Sequence, residues 1–97
     1  MKQYTVPAEL KVNLDYSNPS LPSIVRLLKP LVMHDGDAYC CVLGPDPQSG
    51  VFGCGDTPKD ALDDWQKHLK ERVKRAEPND EVVEYVIDTL RKNKIIE

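Results

Sequence analysis

The side chains best suited to nucleophilic or metal chemistry in this 97-residue chain are three cysteines and two histidines. Cys40 and Cys41 are adjacent, so on one strand their side chains point to opposite faces and do not readily share a zinc ion. With Cys54 the number is odd, and no Cys-x-x-Cys pair occurs, which is typical neither of a zinc site nor of a secreted disulfide framework. We therefore expect reduced thiols that pack as small hydrophobic groups, with no metal and no other cofactor.

The histidines and acidic residues do not form a recognisable catalytic set. His34 and His68 lack a neighbouring serine or cysteine nucleophile pattern, and only the fold could bring Cys54 to His68. Three carboxylates cluster near the start of a predicted helix, at Asp60, Asp63 and Asp64. Such groups could serve acid–base chemistry or a divalent cation, but acidic residues in the first turns of a helix also stabilise its dipole. We favour the second explanation and expect a protein that is not an enzyme.

The densest basic group lies further along the same predicted helix and contains Lys67, Lys70, Arg72, Lys74 and Arg75. Basic residues near the C-terminal end of a helix complement its dipole, which explains them as a solvated surface. They could instead contact RNA or an acidic partner, although no aromatic residue is interleaved with them to stack on bases. The net charge of −3 means that any contact with nucleic acid would need a local patch rather than global attraction.

The helix that carries these residues has the clearest start in the chain. Thr57 is a preferred N-cap residue, Pro58 suits the first helical position, and Asp60 follows three residues after the cap. The pattern predicts a helix from Pro58 to about Ala76 with one apolar stripe, formed by Ala61, Leu62, Trp65, Leu69, Val73 and Ala76. This stripe should cover a sheet, and Trp65 near its centre should be the largest single contributor to the core.

Three strands are predicted before this helix. The dipeptide Asp35-Gly36 is typical of a two-residue type I′ turn, which predicts a hairpin of strands 31–34 and 37–43. Both faces of the second strand are apolar, as expected for a central strand with a layer on each side. A loop rich in proline and glycine, 44–50, leads to a third strand at 51–54.

An N-terminal extension, 1–26, precedes the hairpin. Residues 4–14 contain β-compatible side chains but are interrupted by Pro7, which predicts an edge strand or an extended arm. Ser20 is expected to cap a short helix that ends before Pro30, although its apolar residues could equally form a strand.

A last helix is predicted at about 80–92. Asn79 or Asp80 can cap its start, and Asn93 can end it in the left-handed conformation. Its apolar stripe must be buried against the sheet or against a second copy of the chain, and contains Val82, Val83, Val86, Ile87 and Leu90. We expect a homo-oligomer, at least a dimer, that forms through the N-terminal strand or through this stripe together with Ile95 and Ile96.

Length and composition fit one domain, 1–97, of the α+β class. The predicted architecture is a small, mostly antiparallel sheet in a β-β-β-α core, one long amphipathic helix packed on it, and a C-terminal helix. The sequence has no apolar run long enough for a transmembrane helix, and its first residues lack the apolar centre of a signal peptide. We therefore expect a cytoplasmic protein without membrane contact.

Residues 34–73 resemble the HicB-like antitoxin family. The similar pieces are HDGDAYCCVLGPDP and FGCGDTPKDALDDWQKHL, in which an Asp-Gly turn, a second strand, a proline-bearing loop and a third strand lead into Gly-Asp-Thr and a long helix. The resemblance implies a truncated ribonuclease-H-like unit that neutralises a small RNA-cleaving toxin by protein binding, as a dimer or larger assembly. Two other functions stay open: an RNA-binding module that uses the basic helix 67–75, and an orphan protein that forms oligomers.

Overall fold

The computed structural model describes residues 2–93 and has one antiparallel sheet with helices packed on it, so the fold is α+β as predicted. A short 3-10 turn at Ala8–Leu10 comes first. The regular elements are α1 (Ser23–Leu28), β1 (Leu31–Asp35), β2 (Ala38–Leu43), β3 (Val51–Gly55), α2 (Pro58–Lys74) and α3 (Glu81–Lys92). The role predicted for Ile95 and Ile96 in self-association lies outside the described residues.

The strand order is β1-β2-β3, so β2 is the central strand, as its two apolar faces predict. The predicted hairpin is present, but its turn lies one residue further along the chain. Asp35 pairs with Ala38, which leaves Gly36 and Asp37 as the two turn residues. Within the turn only Gly36 has a positive φ, 60°, as in a type II′ turn, so the predicted type I′ turn is wrong. A turn that needs a single positive φ places its glycine first, and the aspartate before the glycine then pairs within the strand.

Helix α2 lies across one face of the sheet and packs mainly on β3. Thr57 caps the helix as predicted, because its Oγ1 accepts a hydrogen bond from the Asp60 N–H at 3.1 Å. Trp65 is fully buried, and its indole N–H has no hydrogen-bond partner among the described residues. Gly53 on β3 permits the close approach of the helix, since a Cβ there would lie 2.6 Å from the Trp65 Cα.

The other two helices join the same layer, so the main core lies between the sheet and all three helices. Its buried members come from every regular element and are Val25, Leu28, Val32, Cys41, Leu43, Val51, Ala61, Leu62, Trp65, Leu69, Val82, Val86 and Leu90. The apolar stripe of α3 is therefore buried within its own chain, which is one of the two alternatives predicted for it. A dimer through this stripe would first have to expose it to water.

Three of the predicted helix ends differ from the structure. Helix α2 ends at Lys74 rather than at about Ala76, and Ala76 is exposed instead of belonging to the buried stripe. Pro22 rather than Ser20 stands at the N-cap of α1, because the Ser20 backbone and hydroxyl bond to the Asn18 side chain at 2.9 Å in a local turn. Of the two caps predicted for α3, Asn79 and Asp80, the structure has Asp80. Asn93 has φ −101°, and its side-chain amide donates to a carbonyl one turn earlier, so it ends α3 outside the left-handed region.

The N-terminal extension is an extended arm tied to the chain's own sheet. Near its start the Tyr4 N–H donates to the Gly44 carbonyl at 2.6 Å, and further along the Val12 N–H donates to the Val32 carbonyl at 2.8 Å. These attachments flank the sheet face turned away from α2, where Val42 is fully buried. Both surfaces predicted to mediate self-association, this arm and the stripe of α3, are thus used within one chain.

Candidate functional site at the edge of β3

Three polar side chains on one side of α2 approach the outer edge of β3 and the loop before it. They are spaced by four residues, at Asp64, His68 and Arg72, and therefore form one row along the helix, here called the polar row. Asp64 Oδ2 accepts a hydrogen bond from the Cys54 N–H at 3.0 Å, and His68 Nδ1 lies 2.5 Å from the Phe52 carbonyl oxygen. These contacts occupy backbone groups of an edge strand that could otherwise pair with another chain.

The His68 ring has an oxygen acceptor near each of its nitrogens. In addition to the Phe52 carbonyl at Nδ1, Asp64 Oδ1 lies 3.7 Å from Nε2. A carbonyl oxygen only accepts hydrogen bonds, so the contact with Phe52 is made by an N–H at Nδ1.

Arg72 connects three segments of the chain. Its two terminal nitrogens donate to the carbonyls of Gly50 and Ser49, immediately before β3, at 3.0 and 2.8 Å. Its Nε and Nη2 also donate to the Asp80 carboxylate at 2.7 and 3.1 Å. Asp80 in turn accepts from the first free backbone N–H groups of α3 at 3.1 and 3.2 Å. One guanidinium thus fixes the loop before β3 and the start of α3 relative to α2.

The same contacts determine the charge state of Asp80. Hydrogen bonding from Arg72, supported by the backbone N–H groups of α3, holds the pKa of the Asp80 carboxyl below its ordinary value of 3.8. The Asp80 side chain is only 12% exposed and that of Arg72 is 31% exposed, so solvent screens the pair less than it screens an ordinary surface ion pair. Asp80 is therefore ionised at neutral pH and keeps its charge-assisted bonds.

A cleft of about 900 Å³ opens beside the polar row, between the loop before β3, the C-terminal half of α2 and the start of α3. Its apolar lining residues are Pro45, Val51, Phe52, Pro78 and Val82. Its charged lining residues include Glu71, Arg72, Arg75, Glu77, Asp80 and Glu81. Apolar and charged groups thus lie side by side in this cleft. We call it the β3 cleft.

The predicted basic group is divided between two sides of α2. On one side, three lysines line a shallow depression of about 420 Å³: Lys67, Lys70 and Lys74. On the other side, Arg72 and Arg75 line the β3 cleft, where Arg75 lies 3.9 Å from the Glu71 carboxylate. A helix brings residues three and four apart onto one side and turns the others away, so the five basic residues do not form a single patch.

The prediction of three reduced cysteines is wrong for two of them. Cys40 and Cys54 form a disulfide between directly paired positions of β2 and β3, where their Cα atoms are 4.1 Å apart. Cys41 points to the opposite face, is fully buried, and has a thiol whose pKa is raised by burial. The spacing of 14 residues does not reveal the disulfide, because the strand register that opposes Cys40 and Cys54 is set by the loop between them.

The other candidate residues are not brought together into a catalytic arrangement. His34 packs beside Tyr39 near the tip of the hairpin, with ring centroids 4.9 Å apart. Asp63 pairs at 2.8 Å with a lysine one turn earlier on an exposed surface. Cys54 and His68 both lie at the edge of β3, but the cysteine sulfur is in a disulfide and the ring contacts a backbone carbonyl. Within residues 2–93, no three side chains cluster in a way that could hold a metal ion.

The polar row is the feature that sequence reasoning missed. The sequence explains Asp64 by the helix dipole and Arg72 by a basic surface, and it assigns no role to His68. Their spacing of four, beside the apolar stripe, could have indicated a second row on the same helix. Only the packing of α2 against β3 shows that this row meets a strand edge.

No family model, curated protein or solved structure matches this chain. Among the helices of residues 2–93, none has both the length and the apolar character needed to cross a membrane.

Proposed function

We propose that the chain is a non-enzymatic protein-binding domain similar to the HicB-like antitoxins, and that its partner is a small RNA-cleaving toxin. The observation that carries this proposal is the order β1-β2-β3-α2, in which Gly55, Asp56 and Thr57 join the third strand to a helix that packs back on the sheet. This is the order that the resemblance implies. We place the partner at the β3 cleft, where apolar side chains could be covered and the charged side chains beside them could select a complementary surface.

The candidate carboxylates already bind other groups of the chain, which supports a non-enzymatic role. Asp64 accepts a backbone hydrogen bond from β3, and Asp63 takes part in a surface ion pair. The proposal includes a cytoplasmic location, in which stable disulfides are uncommon. The oxidation state of Cys40 and Cys54 in intact cells is therefore the first check on that location.

The binding proposal is tested with the small protein encoded beside this gene. The purified neighbour is incubated with RNA, with and without this chain, and cleavage is followed on gels; we expect inhibition at a stoichiometric amount of the chain. Arg75→Glu reverses a charge that lines the β3 cleft and should weaken inhibition roughly tenfold. Lys70→Glu, on the other side of α2, is the matched control and should have no effect.

Three outcomes would contradict this function. The first is the lack of a small toxin-like reading frame beside the gene, and the second is RNA cleavage that continues when the chain is in excess. The third, an equal loss of inhibition in both charge-reversal variants, would contradict docking at the β3 cleft in particular.

RNA binding through the helix 67–75 is the second candidate, and the exposed row of Lys67, Lys70 and Lys74 favours it. If these three lysines each neutralise one phosphate of a single strand, the logarithm of the affinity should fall against the logarithm of salt concentration with a slope of about −2. Fluorescence anisotropy with a labelled single-stranded RNA measures this slope. Lys70→Glu should then weaken binding while Arg75→Glu has a smaller effect, and an affinity independent of salt would contradict this function.

Self-association, including the orphan oligomer function, remains a prediction. Within residues 2–93, the arm and the stripe of α3 leave some apolar side chains exposed that a dimer could cover, such as Leu10 of the arm and Tyr85 of α3, which are 42% and 38% exposed. Light scattering across a dilution series tests this directly. A dimer gives at least twice the monomer mass of 11.0 kDa, and the monomer mass at every micromolar concentration would contradict it.

A further inference from the structure

The Cys40–Cys54 disulfide joins one buried cysteine to one that is partly exposed. Cys40 lies on the central strand and is 1% exposed. Cys54 lies on the edge strand and is partly exposed. Their side chains share the sheet face turned away from α2, because the alternate positions Cys41 and Gly53 face that helix. The disulfide therefore runs from the covered centre of the sheet toward its β3 edge, where Asp64 binds the backbone N–H of Cys54.

This orientation distinguishes the two sulfurs as targets of an attacking thiolate. Thiol–disulfide exchange proceeds by attack on one sulfur while the other leaves on the far side. An approach to Cys54 comes from beyond the edge of β3, whereas an approach to Cys40 would have to come over β1, where the N-terminal arm is attached. We propose that Cys54 is a thiol-exchange site, at which an external low-molecular-weight thiol opens the disulfide between β2 and β3.

The exchange balances as two steps. In the first, the external thiolate forms a bond to Cys54 Sγ, the Cys40–Cys54 bond breaks, and its electron pair leaves on Cys40 Sγ, which takes a proton from water. In the second, another thiolate attacks the external sulfur of the mixed disulfide, which releases an oxidised thiol dimer and the Cys54 thiolate, and the thiolate then takes up a proton. Two external thiols are oxidised and one protein disulfide is reduced.

Asp35 controls the leaving group of the first step. Its Oδ2 lies 3.5 Å from Cys40 Sγ, so it can accept a hydrogen bond from the reduced Cys40 thiol. The same carboxylate disfavours the negative charge that develops on that sulfur while it leaves. Asp35→Asn should therefore accelerate exchange several-fold, whereas Asp37→Asn, in the neighbouring turn, is a matched control that should not.

Exchange at Cys54 changes the strand that supports the β3 cleft. The edge strand β3 carries Phe52, which lines the cleft, and the backbone groups that bind Asp64 and His68. Opening the disulfide removes the side-chain cross-link between β3 and the central strand, which are then joined covalently through the backbone of the loop between them. The external thiol thereby weakens the attachment of one wall of the cleft to the rest of the sheet.

The test uses the full chain purified in air and needs neither toxin nor RNA. A negative result would therefore count against thiol exchange at Cys54 and would leave the proposed toxin binding unaffected. The native protein is treated briefly with 2-mercaptoethanol, quenched with acid, alkylated and mapped by mass spectrometry. All three cysteines fall in one tryptic peptide, since no lysine or arginine lies between Cys40 and Cys54, so a second digestion at Leu43 and Phe52 separates the two.

We expect the mercaptoethanol adduct on Cys54, with alkylated Cys40, in at least roughly tenfold excess over the reverse arrangement. Equal adducts, or an excess on Cys40, would overturn the proposal. Alkylation of all three cysteines in the unreduced, denatured protein would also overturn it, because it would show that no disulfide is present. A rate for Asp35→Asn that equals the rates of Asp37→Asn and the unchanged chain would overturn the role of Asp35. Amide hydrogen exchange of β3, faster after reduction than before, provides a second measurement that needs no substitution.

Discussion

The contact between Arg72 and Asp80 gives the most specific stability prediction. Arg72→Ala removes hydrogen bonds to two carbonyls before β3 and to the Asp80 carboxylate. Hydrogen bonds to charged groups contribute about 1.5–3 kcal/mol each, but water can replace part of them, because the Arg72 side chain is 31% exposed. We expect a loss of about 2–3 kcal/mol in the free energy of unfolding, which corresponds to a fall of roughly 8–24 °C in Tm for a domain of this size.

Asp80→Asn separates the charge from the cap. Asparagine caps a helix about as well as aspartate, so this variant keeps the start of α3 while it loses the ion pair, and should cost about 1–2 kcal/mol. Asp80→Ala loses both and should cost more. The pair Arg72→Ala and Asp80→Asn in a double-mutant cycle isolates their coupling, which we expect to exceed about 1 kcal/mol.

Urea unfolding monitored through the fluorescence of Trp65, the one tryptophan of the chain, measures these free energies. A coupling below about 0.5 kcal/mol would refute the view that the pair connects α2 to α3, because contacting partners in one network normally exceed that value. The pH dependence gives a second check. Because the pKa of folded Asp80 is lowered, its stabilising contribution is fully present above its ordinary pKa of 3.8 and is lost as the pH falls below that value. The loss should be smaller in Asp80→Asn.

Three further predictions concern the core and the disulfide. Trp65→Ala should cost about 3–5 kcal/mol, since Trp65 is fully buried, and a thermal-unfolding loss below about 1 kcal/mol would contradict its central place in the core. Gly53→Ala should cost about 1–3 kcal/mol or more, because its Cβ would collide with the α2 backbone. Gly36→Ala is the control: its Cβ meets no atom within 4 Å, but the residue has φ 60°, so the cost should be only about 1 kcal/mol. A larger loss for Gly36→Ala than for Gly53→Ala in circular-dichroism melts would count against close packing at Gly53. Reduction of the disulfide should lower stability by about 3 kcal/mol, the value expected for a closed loop of about 15 residues, and an unchanged Tm in dithiothreitol would show that the bond does not stabilise the fold.

Local sequence signals correctly predicted the elements that depend on near neighbours. The start of α2 is specified by Thr57 and Pro58, whose cap and fixed φ act over a single turn. The apolar stripe around Trp65 has helical spacing, so it lies on one side of the helix, and that side must pack on the sheet to be removed from water. The central place of β2 follows in the same way from its two apolar faces.

The hairpin marks the limit of such signals. Asp35-Gly36 correctly predicts that a turn is present, but the turn type and its position depend on which residues pair across the strands. When the two turn residues move from 35–36 to 36–37, the expected type I′ turn is replaced by a turn in which only Gly36 has a positive φ. The pairing is decided by the burial of whole strand faces, which no dipeptide encodes.

The sequence by itself therefore determined that three strands and the helices α2 and α3 are present, which faces of them are apolar, and the basic character of α2, because each depends on residues within one or two turns of one another. Tertiary structure alone decided the partners of side chains far apart in the chain. The tertiary structure paired Cys40 with Cys54 across two strands, brought Arg72 into contact with Asp80, and divided the basic residues of α2 between two surfaces. The physical reason is that strand register and helix orientation minimise exposed apolar area over the whole domain, and the polar contacts are then set by the geometry that results.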